Sequence, residues 1–231
     1  MIPLNDTEPN RYSFFPVVTI SLILVNVAVS ILEVFALVGG GFHAFWEVMM
    51  KYGITPTLIL EIQGGGALSN VTALFLHGGF MHLFGNMLAL WVFGRRVEDA
   101  CGPIRYLAFY LFAGTMANIL YVLVLHDSTI PGIGASGAIF GLMGAYLLLY
   151  PSGRIRTLII WFVPFWPRIR AIWIALYFVG IQIVPAIQSL TGKADDSINH
   201  WAHLGGFFSA VFILLFLRPE AYARYLSDTL V

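Results

Sequence analysis

Ser136 stands at the head of an apolar run, within Gly134-Ala135-Ser136-Gly137. Taken alone, a serine there is more often a packing residue than a reactive one. It becomes a nucleophile only if a base takes its proton. His203, within Ala202-His203-Leu204-Gly205-Gly206, is the candidate base. It would later return the proton to a leaving amine as general acid. Acyl transfer also needs donors for an oxyanion. His82 and Asn86 have that chemistry, and the Ser136 backbone N–H is a further donor. No acidic residue falls within an apolar run at the level of His203, so a Ser136–His203 dyad is expected rather than a triad.

Other chemistries fit less well. Cys101 is the only cysteine, which excludes an intrachain disulfide and a cysteine-based metal cluster. A histidine metal site would draw on His77, His82, His200 and His203. Catalytic zinc takes three protein ligands beside a water. The chain has no His-Glu-x-x-His pattern, and such a site would leave Ser136 unexplained. No cofactor or metal is expected.

The elements that carry these residues are membrane spans. The chain has 231 residues, 59% hydrophobic and 10% charged, against roughly 25% charged in soluble domains. Apolar runs of about 18 to 23 residues recur, long enough to cross ~30 Å of hydrocarbon. They lack the period-two alternation of a membrane barrel, so an all-α bundle is expected. Net charge is zero and suggests no nucleic-acid partner.

Six spans are expected, at about 16–38, 80–97, 104–125, 134–150, 171–188 and 201–217. A polar tail, 1–15, precedes them and another, 218–231, follows. Gly39 to Leu76 reads as a long Gly-rich connection with an interfacial patch at Phe45, Trp46, Val48 and Met49. Between spans 4 and 5, Arg154 to Arg170 is mixed: Ile155 to Trp166 is too short to cross, and Pro164 and Pro167 break the segment, which reads as an interfacial connection. The first fifteen residues resemble neither a cleavable signal nor a transit peptide. With short tails, this favours a multi-pass protein of a prokaryotic plasma (inner) membrane.

Six spans put both termini on one side. That side would hold Arg11, Arg95, Arg96, Arg105, Arg154, Arg156, Arg168, Arg170, Arg218 and Arg224, leaving Lys51 and Lys193 on the other. The bias assigns the termini to the cytoplasm. Counting from those arginines, and from Tyr150 for span 4, at 1.5 Å per residue, His82, Ser136 and His203 lie ~20 to ~22 Å above that edge. Asn86 lies one turn deeper on the face of His82. Three spans thus deliver polar groups to one layer. Small residues let two of them approach closely: Gly137, Gly141, Gly144 and Ala145 on span 4, Gly205, Gly206, Ser209 and Ala210 on span 6. Phe140, one turn after Ser136, is placed to pack on the His203 ring.

The remaining polar groups have simpler readings. Asn26 and Asn118 read as interhelical hydrogen-bonding residues, and His77 as a structural residue near the outer boundary. His200 reads as incidental and facing water. Glu98 and Asp99 read as a solvated ion-pair cluster with Arg95 and Arg96.

The motifs together resemble the rhomboid intramembrane serine proteases. The resemblance runs through His77-Gly78-Gly79-Phe80-Met81-His82, Asn86, Gly134-Ala135-Ser136-Gly137 and Ala202-His203-Leu204-Gly205-Gly206, in that order. It implies a six-span rhomboid-like bundle with Ser136 as nucleophile, His203 as base, and His82 and Asn86 at the oxyanion. His77, Gly134, Gly137, Phe140 and Gly206 would shape the site. It also implies that the 39–76 connection is a membrane-embedded structural loop on the outer side. One position departs from the family pattern: Ala210 stands where a glycine is usual, which would loosen span 6 slightly.

The expected activity is cleavage of transmembrane protein substrates near the outer face of the bilayer, through an acyl-enzyme. Span 5, with Gly180 and Pro185, is the expected mobile side for substrate access. A non-catalytic chaperone or scaffold on the same bundle is the alternative. A solute transporter would show an internal repeat, and none is visible.

Overall fold

Apolar runs in a bilayer must satisfy their backbone groups internally, and the helix does so within one segment. The computed structural model describes residues 1–12, 15–63, 65–160, 163–191 and 198–229. Among them, three helices are long and apolar enough to cross a membrane: Val17–Tyr52 (α1), Pro103–Val124 (α6) and Ala171–Ser189 (α8). The count rises to five if each of two bent helix pairs is taken as one span.

The other helices are α2 (Pro56–Leu60), α3 (Gly66–Thr72), α4 (Phe80–Ala89), α5 (Arg95–Cys101), α7 (Ser136–Leu149), α9 (His200–Ser209) and α10 (Pro219–Thr229). A π turn, Leu90–Gly94, joins α4 to α5, and a 3-10 stretch, Ala210–Phe216, continues α9. With 14 residues, α7 is only ~21 Å long. Much of it is enclosed, with Gly137, Ala138, Ile139, Gly141, Leu142, Met143, Gly144, Ala145 and Tyr146 all buried.

Glycines set the spacing around α7. A Cβ on Gly137 would lie 2.5 Å from the Ala117 methyl of α6, and one on Gly141 2.5 Å from the Ala113 methyl. On α9, a Cβ at Gly205 would lie 2.8 Å from Leu120 Cβ of α6. So α6, α7 and α9 touch nearly backbone to backbone at the centre. The Ala210 departure is compensated here. Its methyl faces Gly144, where a Cβ would come within 2.6 Å of it, so the missing glycine on one helix is matched by one on the other.

Several expected loops are ordered structure. The tail 1–15 supplies a strand, β1 (Ile2–Asp6), and the connection after α7 is a hairpin of β2 (Arg154–Leu158) and β3 (Arg168–Arg170). The sheet is antiparallel in the order β1-β2-β3, with Asp6 opposite Ile155 and Ile155 opposite Ile169. Its signal was the alternation in Arg154-Ile155-Arg156-Thr157, where Ile155 and Thr157 are buried and the arginines exposed. Trp161 and Phe162 of this connection lie outside the described residues, as does Lys193.

The 39–76 connection is mostly helical as well. α1 runs on to Tyr52 through a break at Gly41, whose φ of 69° is open to glycine. Beyond the bend, Ala44, Glu47, Met49 and Met50 are good helix formers and carry the helix on.

Glu98 and Asp99 are not a solvated cluster; both are buried. Glu98 accepts from the N–H groups of Val18 and Thr19 and from the Thr19 hydroxyl, each at 2.8 Å. It thereby satisfies orphan donors at the start of α1. Asp99 accepts from Arg11 N at 2.7 Å and Tyr12 N at 2.9 Å. Arg95 and Arg96 pair instead with Asp6 on β1.

Candidate active site

Ser136 opens α7, where first-turn N–H groups have no intrahelical partner and the helix dipole favours negative charge. The chain enters through Gly134 at φ 115°, a conformation that favours glycine. Gly134 is required twice. A Cβ there would also strike His82, at 2.8 Å from Nε2 and 2.9 Å from Cε1. Its N–H donates to Ala73 O at 2.8 Å, which ties the turn to the segment before His77.

His203 reaches Ser136 from α9. Its Nε2 lies 2.8 Å from Ser136 Oγ. The Phe140 ring stacks on the imidazole with centroids 4.5 Å apart and planes 5° from parallel. Phe140 and Ser136 are one turn apart on α7, so a single helix presents the hydroxyl and the ring's platform. The imidazole is buried, and Asn199 fixes the start of α9 by accepting from Ala202 N at 3.0 Å.

His82 and Asn86 come to the same place from α4. The Cβ that Gly134 lacks would lie 3.6 Å from Asn86 Nδ2, so both side chains stand over the turn that leads into Ser136. Asn86 is held by His77: its Nδ2 is 3.0 Å from His77 Nε2. His77 Nδ1 faces the Phe75 carbonyl at 3.3 Å. A carbonyl only accepts, so His77 is protonated at Nδ1 and its Nε2 accepts from Asn86. The His77 N–H donates to Glu33 Oε1 at 2.9 Å, which anchors this corner to α1. Gly78 N donates to His82 Nδ1 at 3.4 Å, leaving the His82 proton on Nε2, toward Gly134. Both α4 side chains therefore present N–H donors on the Ser136 side. A small hollow beside Ser136 is lined by Gly134, Gly137, Asn118, Asn199 and Ala202.

Asn118 bonds α6 to α3 through Asn70, at 2.9 Å to Oδ1 and 3.0 Å to O. Asn26 donates within its own helix, to Leu22 O at 2.7 Å.

His200 departs from its expected role, and Gln182 joins the site without having been singled out. His200 is half-buried in the site, not facing water; its Nδ1 lies 2.6 Å from Gln182 Oε1. Gln182, buried on α8, also stands 2.9 Å from His203 Nδ1. The signal for Gln182 was present, as a primary amide inside the apolar stretch Ile181-Gln182-Ile183-Val184. It is easily passed over because it carries no charge, whereas the usual partner of a catalytic histidine is a carboxylate.

A serine hydroxyl on an imidazole nitrogen, with N–H donors beside it and a helix N-terminus behind it, has the parts needed for nucleophilic acyl transfer.

The family model of the rhomboid domain matches residues 65–220. The chain is 32% identical over 203 residues to Rhomboid-like protein 11, chloroplastic, of Arabidopsis thaliana, covering 80% of this chain and 68% of that one. It is 31% identical over 212 residues to Rhomboid protease GluP of Bacillus subtilis, covering 89% and 37%. It is 28% identical over 165 residues to Rhomboid protein 1, mitochondrial, of Saccharomyces cerevisiae, covering 70% and 44%. The match thus spans less than half the length of the latter two.

Proposed function

Because the chain belongs to the rhomboid family, we propose that this integral membrane protein is a serine endopeptidase acting on transmembrane protein substrates by a Ser136–His203 dyad. The observation that carries the proposal is the 2.8 Å contact between His203 Nε2 and Ser136 Oγ. His203 takes the hydroxyl proton as Ser136 Oγ attacks the scissile carbonyl carbon. The resulting oxyanion is met by the Ser136 N–H, Asn86 Nδ2 and His82 Nε2. Collapse breaks the C–N bond, and His203 gives the proton to the leaving amine. A water, deprotonated by His203, then attacks the acyl carbon and releases Ser136.

We assign six spans, with both termini in the cytoplasm of a bacterial-type plasma membrane. The arginine-bearing segments gather at one end of the bundle, which supports this orientation. Arg95 and Arg96 pair with Asp6, Arg218 N donates to Ala100 O at 3.2 Å, and Tyr150 Oη donates to Arg96 O at 3.3 Å. Ser136 opens the opposite end of α7, ~21 Å away. Cleavage is then near the outer face.

Labelling with a serine-directed fluorophosphonate tests the reading, together with cleavage of a panel of single-span substrates. Wild type is expected to label and cleave, and Ser136→Ala and His203→Ala to do neither. Equal labelling of wild type and Ser136→Ala, or no labelling of either, would favour a non-catalytic scaffold on the same bundle.

A further inference from the structure

We propose that Gln182 is the positioning residue for His203: it places the imidazole proton on Nδ1 and so leaves the Nε2 lone pair facing Ser136. This deepens the protease reading and rests on it for its catalytic consequence. Gln182 Nε2 donates to Phe178 O at 3.0 Å, one turn back on α8. Flipping the amide would set Oε1 against that carbonyl, acceptor to acceptor, so the orientation is fixed. Oε1 then faces His203 Nδ1 at 2.9 Å and His200 Nδ1 at 2.6 Å. An amide oxygen only accepts and has two lone pairs, so both Nδ1 atoms must carry protons. A neutral imidazole protonated at Nδ1 has its lone pair on Nε2. In His203 that atom lies 2.8 Å from Ser136 Oγ, so the hydroxyl donates to it. With the other tautomer, Nε2–H would face the serine and could not take its proton.

The role is the one a carboxylate plays in a Ser-His-Asp triad, where holding the wrong tautomer costs about 10⁴ in rate. Gln182 supplies the tautomer and orientation without a charge. Its loss is therefore expected to cost less, about 10², the lower end of what general-base catalysis contributes. His200 shares the acceptor and helps hold the amide from the α9 side. Gln182 does not touch the reacting atoms, so the loss should fall on kcat, with KM within about twofold.

The test combines a spectroscopic and a kinetic arm. In protein with ¹⁵N-labelled histidine, reconstituted in bilayers, the His203 signals are assigned by their disappearance in His203→Ala. Wild type is expected to show a protonated Nδ1 and a lone-pair Nε2. Gln182→Met keeps the length but removes the acceptor. It is expected to shift the proton toward Nε2 and to cut the fluorophosphonate labelling rate and kcat about 100-fold in a protein that still unfolds cooperatively, at a lower melting temperature because the bonds to His200, His203 and Phe178 are lost. Gln182→Glu restores an acceptor and should restore both. A wild-type His203 protonated on Nε2 overturns the proposal without any variant. So does a Gln182→Met protein that labels at the wild-type rate. The tautomer is read without turnover, so a wild type that never labels or cleaves counts against the protease reading and leaves the Gln182 assignment standing.

Discussion

Gly206→Ala should separate α7 from α9 and disconnect His203 from Ser136 while leaving a folded protein. The new methyl would lie 2.7 Å from the Gly137 carbonyl carbon and 3.3 Å from its Cα, with the carbonyl oxygen closer still. Carbon and oxygen of this kind normally approach no nearer than about 3.3 Å. Both partners are backbone, so no rotamer change relieves the overlap, and the helices must part by more than about 1 Å. Gly137 follows Ser136 directly, and Gly206 is one turn after His203. The separation therefore passes to the 2.8 Å contact, which stretches beyond hydrogen-bond range. Misplacement of about 1 Å costs on the order of 10² in rate. Overpacking costs about 1–3 kcal/mol of stability. The assay is fluorophosphonate labelling rate beside thermal unfolding in the same detergent. Gly180→Ala on α8 is the matched control: its methyl meets nothing within 4 Å, and alanine is favoured over glycine inside a helix by about 1 kcal/mol. It should melt at or above wild type. A Gly206→Ala protein that labels at the wild-type rate would refute the close-packing argument.

Three further outcomes are expected. Phe140→Leu removes the ring stacked on His203; aromatic pairs contribute about 0.5–1.5 kcal/mol, so kcat should fall up to about tenfold, and Phe140→Tyr should hold near wild type. Glu98→Ala strands the Val18 and Thr19 N–H groups at the start of α1 and leaves Arg95 and Arg96 to Asp6; a loss of about 3 kcal/mol or more is expected in unfolding experiments, since hydrogen bonds to charged groups contribute about 1.5–3 kcal/mol each. Cys101, the last residue of α5, has its thiol pushed up to about 12 by burial, so maleimide at pH 8 should modify it only after denaturation. The unfolded chain releases that proton from about pH 9 and the folded one only near 12, so stability should decline with rising pH across that window, and Cys101→Ala should remove that part of the decline.

The candidate site was largely legible because its residues are expensive where they stand. Ser136, His203, His82 and Asn86 are polar groups in apolar runs, and a depth count along each helix brought them to one level. Gln182 obeyed the same rule. It is less conspicuous because the group beside a catalytic histidine is commonly a carboxylate, and the group facing His203 Nδ1 here is a neutral amide. The fold was less legible outside the apolar runs. β1 and the β2–β3 hairpin are short and arginine-rich, and their pairing joins residues about 150 positions apart, which no local pattern reveals. Glu98 and Asp99 looked solvated because charges beside Arg95 and Arg96 usually are. Glu98 is taken up by the unpaired N–H groups at the start of α1, and Asp99 by the N–H groups of Arg11 and Tyr12 ahead of it.

His203 is held from two sides that differ in firmness. Ser136 and Phe140 both belong to α7, the enclosed helix locked by glycine contacts to α6 and α9. Gln182 belongs to α8, whose outer surface is exposed at Ile172, Trp173, Leu176, Ile181, Val184 and Ile187 and which carries Pro185 inside its helix. Displacing α8 would leave the imidazole stacked beside the serine but remove the acceptor that keeps its proton on Nδ1. The position of the base and its protonation state are thus controlled by different helices. If substrate enters past α8, the bond from His203 to Gln182 must survive that movement or re-form after it before Ser136 can be activated. Crosslinking α8 to α4 should therefore block cleavage of bilayer-embedded substrates while leaving fluorophosphonate labelling intact, because the small probe needs the oriented base but not the opening.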